Sequence, residues 1–346
     1  MFKKSSRVKI LTVALGLVLA FSMGLALRNF YYPVNRPEQV VNIYSSRHYG
    51  LMEPAFAQFQ EETGIEVRLT FGSDAELRER LKAEGEYTPA DVLITVDVGN
   101  LWLATEEELL QPIQSSILDQ NIPTHLRDPE NRWFALSLRA RTIVYSTERV
   151  SLEELSSYEA LGDPKWEDRL VLRPSTKVYT LSLVASLIAA HGEAEAEEIV
   201  RGWVANNPIY IDSDTRSLEA IAAGERDVGI VNTYYLARLL NENEDFPVAI
   251  FWANQENRGT HINLSGGGVT AHARNVESAI QLLEWLSGPG QKMFADGNYE
   301  FPVNSEAEPH PLIAAWGTFK EDGISVSELG RLQAAAAELL DRAGYQ

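Results

Sequence analysis

The chain contains no cysteine among its 346 residues. This absence excludes disulfide bonds, thiolate metal sites and lipid modification of a cysteine behind a cleavage site. Any metal ion must therefore be held by oxygen or nitrogen ligands. Histidine is also scarce, and the spacing of the scattered residues is not that of metal ligands: His191, His261, His272 and His310.

Several motifs of enzymes and nucleotide-binding proteins are missing, since the sequence has no P-loop, no G-x-S-x-G and no H-E-x-x-H. Basic residues are fewer than acidic ones: the chain has 30 lysines and arginines and 49 aspartates and glutamates, which gives a net charge of −19. This charge repels nucleic acid and anionic lipid headgroups, so we expect no nucleic-acid partner. A negatively charged protein is better suited to bind a cationic ligand, although an acidic surface often serves only to keep a protein soluble.

The length and composition predict a soluble protein with two lobes. Hydrophobic residues make up 45% and charged residues 23% of the chain, as in globular proteins. A chain of 346 residues is too long for one ordinary core, and two lobes imply a cleft between them.

The N-terminal residues have the layout of an export signal. Four basic residues precede an apolar run over 10–27: Lys3, Lys4, Arg7 and Lys9. Gly24-Leu25-Ala26 offers a cleavage site, although the run is long enough to stay in the membrane as an anchor. We therefore expect 1–37 to be a signal or anchor with a linker, and the rest of the protein to be exported.

Short strands alternate with helices along the remaining chain. The predicted strands are Val40–Tyr44, Ile65–Phe71 and Asp91–Val96, then Thr142–Tyr145, Leu170–Leu172, Ile209–Ile211 and Val228–Val231. This alternation favours an α/β fold with largely parallel sheets, whose ligand edge lies at the carboxyl ends of the strands. Gly266-Gly267-Gly268 is predicted to cross back into the first lobe as a flexible hinge.

Tyrosine is abundant, with thirteen residues, and several follow predicted strands. Tyr234 and Tyr235 lie between a strand and a helix, Tyr179 opens another helix, and His48-Tyr49 closes the loop after the first strand. Each of these alone is more typical of aromatic packing or a helix-entry turn than of a site. Together they fall at strand ends in both predicted lobes, where a cleft forms.

A phenol has a pKa of about 10 in water, so a phenolate at neutral pH needs a strong positive partner. A trivalent cation such as Fe(III) supplies one. Arg139 and Arg141 precede the strand Thr142–Tyr145, and a guanidinium there favours ionised phenols. A salt bridge is the alternative role for these arginines.

At these residues the chain resembles the ferric-iron-binding periplasmic proteins of bacterial ABC importers, in particular their tyrosine-rich cyanobacterial branch. The resemblance spans about Val40 to Tyr345 and rests on four stretches: 43–49 (IYSSRHY), 89–97 (PADVLITVD), 138–141 (LRAR) and 231–238 (VNTYYLAR). It implies a periplasmic solute-binding protein with a hinge and an interlobe cleft. The expected partners are a ferric ion and an inner-membrane ABC permease, with no enzymatic activity, no organic cofactor and a monomeric state.

The resemblance also implies a ligand set. Tyr49, Tyr179, Tyr234 and Tyr235 would hold the metal, His48 would join them in some states, and Arg139 would approach from behind the ligands. Four phenolates need no carbonate or phosphate to neutralise Fe(III), so none is expected.

The resemblance places lobe one at 38–136 plus 267–298, and lobe two at 137–266 plus 299–346. The alternative function is binding of a polyamine or another small organic solute on the same fold. Trp102, Trp252 and the tyrosines would then form an aromatic box around a cation.

Overall fold

The computed structural model describes residues 39–47 and 52–346. The predicted signal with its cleavage site, and the predicted ligands His48 and Tyr49, lie outside the described residues. The chain from Val40 to Gln346 forms one compact unit. Within the described ranges no helix has both the length and the apolar character needed to cross a membrane.

Nine strands lie in the described part of the chain. They are β1 Val40–Ser45, β2 Glu66–Phe71, β3 Val92–Thr95, β4 Phe134–Ser146, β5 Leu170–Leu172, β6 Ile209–Tyr210, β7 Val228–Asn232, β8 Val248–Phe251 and β9 Ile262–Val269.

The helices surround these strands. They are α1 Glu53–Thr63, α2 Asp74–Glu84, α3 Val98–Glu106, α4 Ser116–Asn121, α5 Val178–His191, α6 Glu193–Ala205, α7 Asp214–Ala222, α8 Thr233–Glu242, α9 Val276–Ser287, α10 Gln291–Asp296, α11 Pro311–Ala314, α12 Val326–Arg331 and α13 Gln333–Arg342. A capping box begins α2, because Ser73 accepts from the Glu76 backbone N–H and Glu76 accepts from the Ser73 backbone N–H.

The strands follow the order β2-β1-β3-β9-β4-β7-β5-β6, and β8 also pairs with β4. Parallel pairing joins β1 to β2 and β3, and joins β5 to β6 and β7. Antiparallel pairing joins β9 to β3 and β4, and joins β4 to β7 and β8. The sheet is therefore mixed, and the prediction of largely parallel pairing is wrong.

The long strand β4 explains this difference. Its first part, Phe134–Ala140, pairs with β9, whereas Arg141–Ser146 pairs with β7 and β8. The sequence predicts only Thr142–Tyr145 as strand and places Arg139 and Arg141 before it. Both arginines lie inside β4 and are buried. The strand continues from the half of the molecule that contains β1, β2 and β3 into the half that contains β5, β6, β7 and β8.

The three consecutive glycines lie inside a paired strand, which corrects the flexible backbone predicted for them. Gly266, Gly267 and Gly268 lie within β9 and pair with β3, and Gly266 and Gly267 also pair with β4. A Cβ atom on Gly268 would lie 2.3 Å from the Arg132 carbonyl oxygen, and one on Gly266 would lie 2.6 Å from that of Phe134. Glycine is needed there for the close approach of backbones.

Two hydrophobic cores flank the crossing strands. The first core includes Ile43, Phe59, Val92, Leu101, Leu136, Leu264, Leu283 and Phe294. The second core consists of two clusters on opposite faces of β4, β7 and β5, one with Ile143, Leu170 and Val228, the other with Val144, Val171, Val231 and Leu236. Near the C-terminus, Leu329 packs in the first core and Leu339 in the second. The residue boundaries of the two lobes stay a prediction.

Candidate metal centre

Two helix N-termini position three of the predicted ligand tyrosines. Tyr179 is the second residue of α5, and Tyr234 and Tyr235 are the second and third residues of α8, which follows β7 directly. Helical side chains lean toward the N-terminus, where the unpaired backbone N–H groups carry partial positive charge. Each of these phenol groups therefore projects from a helix end that favours an anion.

The tyrosines meet in space. The hydroxyl oxygens of Tyr179 and Tyr234 are 3.4 Å apart, and the rings of Tyr234 and Tyr235 lie 4.4 Å apart between centroids. With metal–oxygen bonds of about 2 Å, two oxygens that ligate one small ion lie within about 4 Å of each other. The hydroxyls of Tyr179 and Tyr234 satisfy this limit. Asn232, the residue before α8, donates from its side chain to the Tyr234 hydroxyl at 3.3 Å.

Arg139 supplies positive charge beside this cluster. Its guanidinium carbon lies 5.4 Å from the centroid of the Tyr179 ring, and its Nη2 donates to the Val96 carbonyl oxygen. Burial lowers the pKa of Arg139, but Tyr179 and Tyr234, followed by acidic groups, raise it above its ordinary value overall. Within the described chain its Nε and Nη1 are buried with no hydrogen-bond partner. A buried cation of this kind favours anionic oxygen nearby.

Arg141 has the alternative role that the sequence left open, a salt bridge. Its Nη1 lies 3.0 Å from an oxygen of the fully buried Asp214, which also accepts from Arg173 at 3.3 Å. The same carboxylate accepts the backbone N–H of Asn232 at 3.2 Å. Asp214 and its two arginines therefore hold the chain at the point where β7 ends and the tyrosine pair begins.

Arg238 is a site residue to which the sequence reasoning gave no role. Its guanidinium carbon lies 5.2 Å from the Tyr234 ring centroid and 5.3 Å from that of Tyr235. The helical spacing could have revealed it, because residues three and four positions apart share one face of a helix. The site thus contains a second cation, which lies over the tyrosine pair.

The described residues offer few other metal ligands. In 39–47 and 52–346, no group of three or more histidines, aspartates and glutamates could hold a metal ion. His261 is buried, and its pKa is held well below the usual value by burial and by Arg258, Arg141 and Arg139. Its Nε2 lies 3.1 Å from the Ser182 hydroxyl. A metal bound to this part of the chain would therefore depend on phenolate oxygen.

The chain that leads to His48 and Tyr49 is anchored by two side-chain contacts, one buried and one partly buried. Arg47 donates to Glu300 at 2.6 Å, and both side chains are buried. Ser46 donates to Asp74, whose pKa burial raises to about 6. The base of the predicted ligand loop is thus fixed to the first core.

The alternative function requires Trp252 to take part in an aromatic box with the tyrosines. The position of Trp252 does not fit that role. Trp252 stacks on Phe319, with 4.1 Å between ring centroids, and its indole N–H donates to the Trp316 carbonyl oxygen. Trp102 packs against Gly330, where a Cβ atom would lie 2.5 Å from the Trp102 Cβ. Trp252 thus belongs to a separate aromatic cluster.

Comparison with known proteins identifies the family of the chain. The family model for bacterial extracellular solute-binding proteins matches residues 88–319. Iron uptake protein A1 of Synechocystis sp. is 44% identical over 318 residues, which cover 89% of this chain and 88% of that protein. The major ferric iron-binding protein of Neisseria meningitidis is 26% identical over 321 residues, 88% of this chain and 93% of that protein.

Solved structures show the same relationship. A Trichodesmium protein (IdiA, FutA) in complex with iron and citrate is 44% identical, with a TM-score of 0.85 over 89% of this chain and 100% of that chain. Apo FutA2 from Synechocystis is 41% identical, with a TM-score of 0.84 over the same shares. The predicted α/β fold of a two-lobed periplasmic solute-binding protein is confirmed. The chain therefore belongs to the bacterial extracellular solute-binding protein family, among the relatives of the cyanobacterial iron uptake proteins.

Proposed function

We propose that the protein captures Fe(III) outside the cytoplasm and delivers it to an ABC-type importer. The observation that carries this proposal is the approach of the Tyr179 and Tyr234 hydroxyls to 3.4 Å beside the buried guanidinium of Arg139. Fe(III) is a hard trivalent cation that stabilises ionised phenols. Relatives named for iron uptake, and a related structure that holds iron, support the same cargo.

The proposed ligands are Tyr179, Tyr234 and Tyr235, with Tyr49 as a fourth phenolate and His48 as a further candidate. Tyr49 and His48 are supported by their position after the first strand and by the sequence resemblance. Three phenolates neutralise Fe(III), and a fourth leaves one negative charge that the Arg139 guanidinium balances. The site then needs no carbonate, phosphate or organic cofactor.

Transport proceeds by capture, closure and handover. The two halves are joined by β4 and β9, and closure about these strands would bring the Tyr49 loop to the tyrosines of the other half. A monomer in the periplasm, exported by residues 1–37, would then deliver the ion to an inner-membrane permease. This proposed function breaks no bond in a substrate, so the protein would act as a carrier and not as an enzyme.

The iron-loaded protein should be coloured. Tyrosinate ligands donate electron density into Fe(III) in the visible range, whereas carboxylate, water and imidazole do so weakly. A visible absorption titration with Fe(III) should give a band that saturates at one ion per chain. Acid should bleach the band because it protonates the phenolates, and dithionite should bleach it because Fe(II) binds them less tightly. A stoichiometric ferric complex without a visible band would exclude phenolate ligation.

Binding should also make the protein more compact. Because the proposed ligands come from both halves of the molecule, the bound ion would hold those halves together. Small-angle X-ray scattering of the apo and Fe(III)-saturated protein should show a smaller radius of gyration with iron. An unchanged profile at saturation would place the ion in a preformed site or outside the cleft.

A further inference from the structure

A chain of polar contacts connects the two cores near the tyrosine pair. Arg47 donates to one oxygen of Glu300 at 2.6 Å, and Asn298 donates from its side chain to the other oxygen at 3.0 Å. The Asn298 side-chain oxygen accepts from Arg238. Arg238 in turn lies over the rings of both Tyr234 and Tyr235.

The backbone around Asn298 has an unusual conformation. At the end of α10 the Glu300 N–H donates to the Ala295 carbonyl at 3.0 Å, and the Tyr299 N–H donates to that of Asp296 at 3.1 Å. This is the hydrogen-bond pattern of a Schellman motif, in which glycine usually takes the left-handed position. Here Tyr299 takes it, with φ of 52°. Such conformations are uncommon outside glycine and concentrate where function requires them.

This turn places Asn298 and Glu300 on the first core. Both side chains are buried, at 1% and 2% exposure, while Phe294 of α10 is part of the first core. Arg238 belongs to α8, which packs on the second core through Leu236. The Arg238–Asn298 hydrogen bond therefore joins elements of different cores, and any opening of the cleft that separates α8 from α10 would break it.

We propose that Asn298 is a closure latch for the metal site. It anchors Arg238 when the cores are together, and Arg238 in turn positions the rings of Tyr234 and Tyr235. The latch rests on the proposed function, because it governs how long a bound ferric ion is held. Asn298 is a positioning residue, since it contacts Arg238 and not the ion.

The chemistry of the contact suits a reversible latch. A neutral amide oxygen that accepts from a guanidinium gives a charge-assisted hydrogen bond, stronger than one between neutral groups. Forming this hydrogen bond removes only one charged group from water, so its desolvation cost is lower than that of a buried salt bridge. The contact can therefore break and form again. Glu300 and Arg47 hold the Asn298 amide in the required orientation.

The test compares Asn298→Ala with Asn304→Ala. Asn304 is also buried near the first core and donates to the Ser287 carbonyl at 2.9 Å, so this control loses a similar buried amide away from α8. Each variant is loaded with Fe(III), and release to excess citrate is followed in the visible band. Asn298→Ala should release iron about tenfold faster than wild type, the range expected for loss of a supporting residue. Its band should keep the wild-type wavelength because the ligands are unchanged, and Asn304→Ala should release iron at the wild-type rate.

A double-mutant cycle adds a second measurement that does not depend on one variant's stability. Arg238→Gln alone should speed release, and adding Asn298→Ala to it should change the rate little further, because the contact is already lost. Fully additive effects, or a wild-type release rate for Asn298→Ala, would overturn the latch. A wild-type protein that takes up no Fe(III) would instead overturn the proposed function.

Discussion

Replacing Tyr234 or Tyr235 with phenylalanine should weaken Fe(III) binding by more than about 100-fold, beyond the range seen when only a supporting residue is lost. The substitution keeps the ring and removes only the oxygen that can become anionic. In Tyr234→Phe the packing with Tyr235 is retained, and the Asn232 amide loses one weak partner at 3.3 Å. The fold of the apo protein should therefore persist in both variants.

Competition with citrate is the measurement, and Tyr145→Phe is the matched control. Tyr145 lies in β4, is half-buried, and has its pKa raised by burial, so it stays a neutral phenol. That variant should retain iron and colour as wild type does. Equal iron retention by wild type, Tyr234→Phe and Tyr235→Phe would exclude a tyrosinate site and favour an organic solute as the ligand.

Tyr49→Phe extends the same experiment to the other half of the molecule. Because Tyr49 is the proposed phenolate of the first lobe, its loss should weaken iron binding and also reduce the compaction seen by scattering. Tyr234→Phe should weaken binding with a smaller effect on compaction, since Tyr179 and Tyr235 still offer phenolates to the Tyr49 loop. Normal compaction with iron in Tyr49→Phe would remove that residue from the ligand set.

The positions of the second-half tyrosines were predictable because the signals are local. A β-branched run followed by a helix places Tyr234 at a strand-to-helix junction, and the structure has β7 ending at Asn232 and α8 beginning at Thr233. Tyr179 likewise lies in the first turn of α5. The carboxyl edge of a sheet then brings such residues together.

Other features depend on contacts between distant residues, which one sequence does not reveal. Arg47 and Glu300 are separated by 253 positions and Arg238 and Asn298 by 60. The path of β4 through both halves depends equally on its partners, because its first part pairs with β9 and its second part with β7 and β8. The three glycines predict a flexible segment by composition, whereas the close approach of neighbouring backbones requires glycine inside a strand.

Replacing Asp214 with alanine should destabilise the apo protein by about 3–5 kcal/mol, the cost of breaking a buried ion pair by removal of one partner. Asp214 is fully buried and faces the guanidinium groups of Arg141 at 3.0 Å and Arg173 at 3.3 Å. Without the carboxylate, two positive charges remain in the interior with fewer partners. The Asn232 N–H also loses its acceptor, which lies directly before the tyrosine pair.

Asp212→Ala provides the control, because Asp212 pairs with the same Arg173 at 3.2 Å but has a side chain that is 59% exposed. Solvent screens that pair, so its loss should leave the free energy of unfolding nearly unchanged. Asp214→Asn should fall between the two, since the amide keeps the shape and one acceptor oxygen but not the charge. Urea unfolding of the three apo variants and wild type measures the order. If Asp214→Ala were no less stable than Asp212→Ala, the arginines would find other partners, and the anchoring role of Asp214 beneath the tyrosine pair would be wrong.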